Sequence, residues 1–179
     1  MKTFLIALVC ALALPLMAAV GDVIPQEKLP VVWFAGEQPQ AWPNDDLWIF
    51  ECWATWCGPC IRAIPHMEEL WKTYQSKGVK MVGVNVERNK SQAQLKEFFS
   101  KQRVPPTYNQ AHDFDNRFAD QLKVIGIPFA VAIRNGKIVW QGHPMSLKPA
   151  TIDTLLQNGK APECTHQHTE ACRAKHNPQ

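Results

Sequence analysis

Leu47 to Trp53, LWIFECW, restricts the fold of this chain more than any other segment. Its apolar residues run almost without interruption instead of alternating, which is the pattern of an interior strand covered on both faces. Val79 to Val86 (VKMVGVNV) has the same pattern. Between the two, Ile61, Ile64, Met67, Leu70, Trp71 and Tyr74 recur at helical spacing, and Gly78 supplies a stop. Strand, helix and strand of these lengths form a right-handed parallel crossover, so the chain is α/β with helices laid on a sheet.

Downstream, Phe129–Ile133 and Lys137–Gln141 flank Arg134-Asn135-Gly136. Asn-Gly between two apolar runs predicts a hairpin, because both residues tolerate positive φ. A last helix is expected over Pro149–Asn158, with Gly159 as its stop. Between Glu87 and Val124 there is room for helices at Ser91–Lys101 and Phe114–Leu122, with a short extended piece at Thr107–Asn109. The Pro- and Trp-rich stretch Gly21–Asp46 gives only a weak strand signal, at Val31–Phe34. At 46% hydrophobic and 20% charged residues, 179 residues suit one domain with its own core. We expect that domain over residues 20–159, followed by a polar tail over 160–179 that has too little apolar content to pack.

Residues 1–19 read as a signal peptide. The apolar stretch from Phe4 to Val20 follows Lys2, contains Pro15 and ends in small residues, and it is short against the roughly 20 residues of a membrane span. Cleavage after Ala19 or after Gly21 suits the small-residue rule equally, and an uncleaved anchor is the alternative. Export implies a periplasmic protein in an oxidising compartment, where disulfides persist. Net charge is only +3 with Lys and Arg scattered, so nucleic acid has no electrostatic footprint here. Six cysteines occur, at 10, 52, 57, 60, 164 and 172, and Cys10 would leave with the signal.

The chemistry concentrates in Trp56-Cys57-Gly58-Pro59-Cys60, where the first buried strand gives way to the helix. A thiol at a helix N-terminus faces unpaired backbone N–H groups and the positive end of the dipole, which favours its thiolate. Cys57 is therefore the expected attacking sulfur. Two intervening residues bring Cys60 within bonding reach on the first turn, where Pro59 costs little. Cys57 would attack a substrate disulfide and Cys60 would resolve the mixed disulfide. An inert bridge or half of a zinc site is the bland alternative, but such sites need a second close pair of similar spacing.

At these residues the chain resembles the thioredoxin superfamily, and within it the exported TlpA/ResA/CcmG-like thiol-disulfide oxidoreductases. Trp53-Ala54-Thr55-Trp56-Cys57-Gly58-Pro59-Cys60, then Pro65, Ile127-Pro128 and Asn135-Gly136 follow the family's order over roughly Leu47 to Asn158. The resemblance implies a thioredoxin fold, a central mixed sheet flanked by helices, with Glu87 to Val124 holding the insertion of the TlpA-like branch. It implies that Pro128 is cis beside Cys57 and Cys60, and that the Ile127 backbone pairs with substrate. Trp56, Gly58 and Pro59 complete the expected substrate-binding surface. It also implies that Glu51 occupies the buried carboxylate position, and that no cofactor beyond the disulfide is needed. Gly58-Pro59 is the dipeptide of reducing members, which points to a reductase of protein disulfides served by a membrane thiol-electron donor. A peroxidase on the shared scaffold is set aside, because the Thr55-x-Cys57 spacing does not match the peroxidatic loop.

Glu51 is conspicuous without any family. A carboxylate inside LWIFECW must be desolvated, so it needs a partner or a raised pKa. It is either the proton acceptor for Cys60, through water, or a residue at a strand edge reaching solvent. Cys52 points to the opposite face and reads as a small buried hydrophobe. In the tail, Cys164 and Cys172 enclose His166 and His168 with His176 nearby; they read as a local disulfide, or as a copper or zinc site, or as free thiols. The metal reading would make the protein a copper- or zinc-handling envelope protein. His66 is expected to be a solvated helix residue, His112 and His143 carry no motif, and Trp53 and Trp56 are expected to shape an apolar rim.

Overall fold

The computed structural model describes residues 18–24, 30–36, 38 and 46–158. Six strands form one mixed sheet: β1 (Val32–Ala35), β2 (Leu47–Trp53), β3 (Val79–Asn85), β4 (Asn109–His112), β5 (Phe129–Arg134) and β6 (Lys137–Gly142). Their spatial order is β1-β4-β3-β2-β5-β6. β2 therefore lies inside the sheet, parallel to β3 on one side and antiparallel to β5 on the other. All seven of its residues are buried, the outcome its unbroken apolar run demands.

The two faces of β2 enter different cores. Trp48, Phe50 and Cys52 pack with Phe118 and Leu122, beneath the short helix α3 (Arg117–Gln121). Leu47 and Ile49 pack with Met67, Leu70 and Tyr74 of α1 (Gly58–Tyr74) and with Ile152 and Leu155 of α4 (Pro149–Asn158). A third cluster at the end of β2 joins Trp53 and both active-motif cysteines to Leu95 and Phe99 of α2 (Gln92–Ser100). This is the expected α/β sheet flanked by helices.

Several expectations are adjusted. The α1 helix begins at Gly58, and a single 3₁₀ turn, Gln75–Lys77, carries it to Gly78 at φ +88°. The helix predicted over 114–122 forms only over Arg117–Gln121. Asp113 accepts from the amides of Phe118 and Ala119 at 3.1 and 2.9 Å, and Asn116 adopts φ +61°, so a turn takes up the residues before it. The extended piece lies later than predicted, with β4 at Asn109–His112. Asn135 and Gly136 both have positive φ, as the hairpin requires.

Residues 18–24 run beside β6. Gly21 N–H donates to the carbonyl of Ile138, Ile138 N–H donates to that of Asp22, and Val23 bridges Lys137 in antiparallel fashion. Ala18 is buried there, and its carbonyl accepts from Gln141 at 2.8 Å. Among the described residues, no helix is long and apolar enough to cross a membrane. The readings made for residues 1–17 and for the 160–179 tail, Cys164 and Cys172 included, lie outside the described residues.

Candidate active site

The parallel β2–α1–β3 unit places the dithiol. As β2 ends at Trp53, Cys57 N–H donates to the carbonyl of Ala54 at 3.1 Å, which turns the chain into the helix. Cys57 is the N-cap residue of α1, and its Sγ accepts from the amide of Cys60 at 3.2 Å. A sulfur so placed meets the unpaired amides of the first turn, the physical basis for a stabilised thiolate. Cys57 and Cys60 are joined in a disulfide with their Cα atoms 5.2 Å apart. Cys60 is fully buried, Cys57 is 5% exposed, and Gly58 and Pro59 beside them are exposed.

Ile127-Pro128 is a cis peptide. Cys52 pairs with Phe129 across β2 and β5, so Pro128 sits at the end of β2 from which the cysteine loop departs. Ile127 packs against the apolar cluster that holds Cys57 and Cys60. Trp56 is 71% exposed, the rim position expected of it, whereas Trp53 is a core residue stacked on Phe98 and tilted against Phe99. The expectation that both tryptophans line the rim is thus corrected for Trp53: its place as the last residue of an interior strand buries it.

Glu51 does not reach solvent at a strand edge, because β2 has neighbours on both sides and the residue is 0% exposed. It shares the α1 face of the sheet with Leu47 and Ile49. Tyr108 O–H donates to its Oε2 at 2.8 Å, while its Oε1 has no hydrogen-bond partner among the described residues. Burial pushes its pKa up to about 7, and the hydrogen bond from Tyr108 pulls the other way. Burial foremost, then the charge of Glu51, pushes the Tyr108 hydroxyl well above the ordinary phenol range, so it acts as a donor.

Two residues of this site left little trace in the sequence. Glu87, just beyond β3, accepts from the amide and hydroxyl of Thr55 at 2.6 and 3.0 Å and from the side chain of Asn85 at 3.2 Å. Its own amide donates to Asn85 Oδ1, and its carbonyl accepts from His112 Nε2 at 2.6 Å. The cue was an acidic residue closing a buried strand parallel to the one that leads to the dithiol. Tyr108 gave no such cue, since its partner lies in a different strand far back in sequence. His66 is a half-buried residue of α1 whose ring donates to the carbonyl of Leu147 at 2.9 Å. Cys52 is buried and unbridged, and burial, with the charges of Asp113 and Glu51, raises its thiol far out of the reactive range.

The AhpC/TSA family model matches residues 20–141, more than half of the chain. A thiol-disulfide oxidoreductase ResA of Oceanobacillus iheyensis is 31% identical over 87 residues, covering 48% of this chain and 43% of that protein. The chain thus spans less than half the length of that relative. Among solved structures, a protein described as a thiol:disulfide interchange protein DsbE from Chlorobium tepidum aligns with TM-score 0.56 at 25% identity, covering 78% of this chain and 94% of that one. A protein described as a protein disulfide isomerase from Bacteroides thetaiotaomicron aligns with TM-score 0.65 at 21% identity, over 79% of this chain and 92% of that one, a likeness of fold.

Proposed function

The chain belongs to the AhpC/TSA family, and from that footing we propose that it is a thiol-disulfide oxidoreductase that reduces protein disulfides in the periplasm. The observation that carries the reading is the pair itself: a Cys57–Cys60 disulfide at the N-terminus of α1, with Cys57 capping the helix and Cys60 buried behind it.

In the reduced protein the Cys57 thiolate attacks one sulfur of a substrate disulfide. A Cys57–substrate bond forms, the substrate S–S bond breaks, and one substrate thiolate leaves. Cys60 then attacks Cys57 Sγ, so the intramolecular bond forms and the second substrate thiolate leaves. Glu51 accepts the Cys60 proton, through water, as Cys60 becomes a nucleophile. Two electrons pass to substrate, and a thiol donor must return two to Cys57–Cys60 before the next turn. A membrane thiol-electron donor is the proposed source, and the N-terminal segment is proposed to export the chain to it.

Substrate is held by the surface around the pair. Exposed Trp56, Gly58 and Pro59 offer an apolar approach, and the backbone before cis-Pro128 offers hydrogen-bonding groups to an extended substrate segment. The reductive direction rests on Gly58-Pro59. Redox titration against thiol/disulfide buffers, read at each cysteine by differential alkylation and mass spectrometry, tests it. A Cys57–Cys60 potential near about −270 mV is expected, and one near about −120 mV would make the protein a disulfide-forming oxidant instead.

A further inference from the structure

Glu51, Gly83 and Gln110 stand in one register row across β2, β3 and β4. Their side-chain positions therefore share one face, the face covered by α1. Gly83 leaves that row open in the middle: a Cβ there would collide with the amide of Gln110, which lies over the glycine, on the side of its own strand that faces β2. Gln110 is 1% exposed, and its Oε1 has no hydrogen-bond partner among the described residues. Two buried acceptors, Glu51 Oε1 on β2 and Gln110 Oε1 on β4, thus lie on either side of Gly83 of β3, with no donor to either among the described residues. Only Oε2 of Glu51 is engaged, by Tyr108.

A buried acid with one oxygen tied and one free has distinguishable oxygens. The tied one accepts a hydrogen bond and carries charge well; the free one is where a proton is least opposed. We propose that Tyr108 is the positioning residue for Glu51: its hydroxyl fixes Oε2 and leaves Oε1 as the oxygen that takes and releases the Cys60 proton. The neutral acid then carries its proton on Oε1, and the anion keeps its hydrogen bond from Tyr108.

The surrounding charges do not offer a competing partner. From α1, Glu68 is buried but committed to the amide and hydroxyl of Thr107, both at 2.7 Å, and to Lys72 at 3.2 Å. Those bonds fix the residue just before Tyr108 and so hold the phenol in line with Glu51. Also from α1, Cys57 and Cys60 meet the same end of β2. On β2 itself, Cys52 projects to the opposite face, toward Asp113. No cation is paired with Glu51 among the described residues, which leaves Tyr108 as its polar anchor.

This inference rests on the reading of Glu51 as the proton acceptor, and the test separates the two. The infrared carbonyl band of the protonated Glu51 carboxyl, identified by its loss in Glu51→Gln, is followed against pH beside the pH profile of exchange. Tyr108→Phe keeps the ring and removes the donor to the anion. The band midpoint is expected to move upward by about one pH unit, tenfold in proton affinity, and the exchange profile to move with it. Replacing the chain's two tyrosines, Tyr74 and Tyr108, by 3-fluorotyrosine makes a stronger donor and should move the midpoint downward, with Tyr74→Phe as the control. A merely structural tyrosine would not produce opposite shifts. An unmoved midpoint in Tyr108→Phe overturns the proposal. A midpoint that moves while the exchange profile stays fixed upholds Tyr108 as the anchor of Glu51 and overturns the proton-acceptor reading.

Discussion

Glu87 holds Thr55 by two atoms at once, its carboxylate accepting from the Thr55 amide at 2.6 Å and from the Thr55 hydroxyl at 3.0 Å. One end of this clamp is the loop that delivers Trp56 and Cys57, and the other is anchored by Asn85 and His112. The loop between β2 and α1 is thereby tied to the end of β3, not merely connected to its own helix.

Removing that clamp should cost both stability and order. Glu87→Ala leaves the Thr55 amide and hydroxyl and the Asn85 side chain without their carboxylate, and hydrogen bonds to charged groups contribute about 1.5–3 kcal/mol each. We expect a net loss of about 3 kcal/mol in denaturant unfolding, with faster amide exchange at Thr55. A midpoint within error of the unmodified protein would show that the clamp is dispensable.

Glu51 should govern both rate and stability. As the proposed base, Glu51 works ionised, so the step that frees Cys60 should accelerate as pH rises through about 7 and then level off. Glu51→Ala should slow exchange by about 10²-fold or more and abolish that rise. For stability the sign is opposite. The folded state holds the proton more tightly than the unfolded one, so Glu51 costs nothing well below pH 4.5 and increasingly destabilises as pH rises toward 7 and above. The shift amounts to about 3 kcal/mol at full ionisation. Glu51→Gln should therefore flatten the decline in unfolding free energy between pH 5 and 8, which urea titrations at both ends would measure.

Gly83→Ala should destabilise although it adds a single methyl group to a strand. That methyl enters the space of the Gln110 amide, and overpacking of this kind costs about 1–3 kcal/mol. Pairing it with Gln110→Ala should recover most of the loss. If the double variant is no more stable than Gly83→Ala, the collision is not the cause.

Cys52 should behave as a buried hydrophobe. In the native protein iodoacetamide is expected to leave it unmodified whether Cys57–Cys60 is oxidised or reduced, and unfolding should expose it. Rapid native labelling at Cys52, seen by peptide mass mapping, would contradict its burial beneath α3.

The sequence made the centre of this molecule legible and its polar fittings much less so. LWIFECW could be little other than an interior strand, and Asn135-Gly136 could be little other than a hairpin turn. Asn109–His112 was placed early because Asn, Gln and His have weak strand preference. Their strand geometry comes from pairing with β1 and β3, a tertiary effect. The same holds for the site. Cys57 and Cys60 announce themselves by spacing within one segment, and Glu51 by its polarity within an apolar run. Tyr108, Glu68 and Glu87 matter through partners on other elements, and no local pattern carries that information.

The short ribbon of residues 22–24, beyond either expected cleavage site, has a consequence for how these molecules behave in company. By bonding the carbonyl of Gly136 and the amide of Ile138 it occupies groups that β6 and the turn before it would otherwise present to any neighbour. Another extended chain could stack on that margin only by first peeling the ribbon away. The hairpin thus meets crowded surroundings with a stretch of its hydrogen-bonding margin already capped by its own polypeptide, a built-in guard against edge-to-edge aggregation.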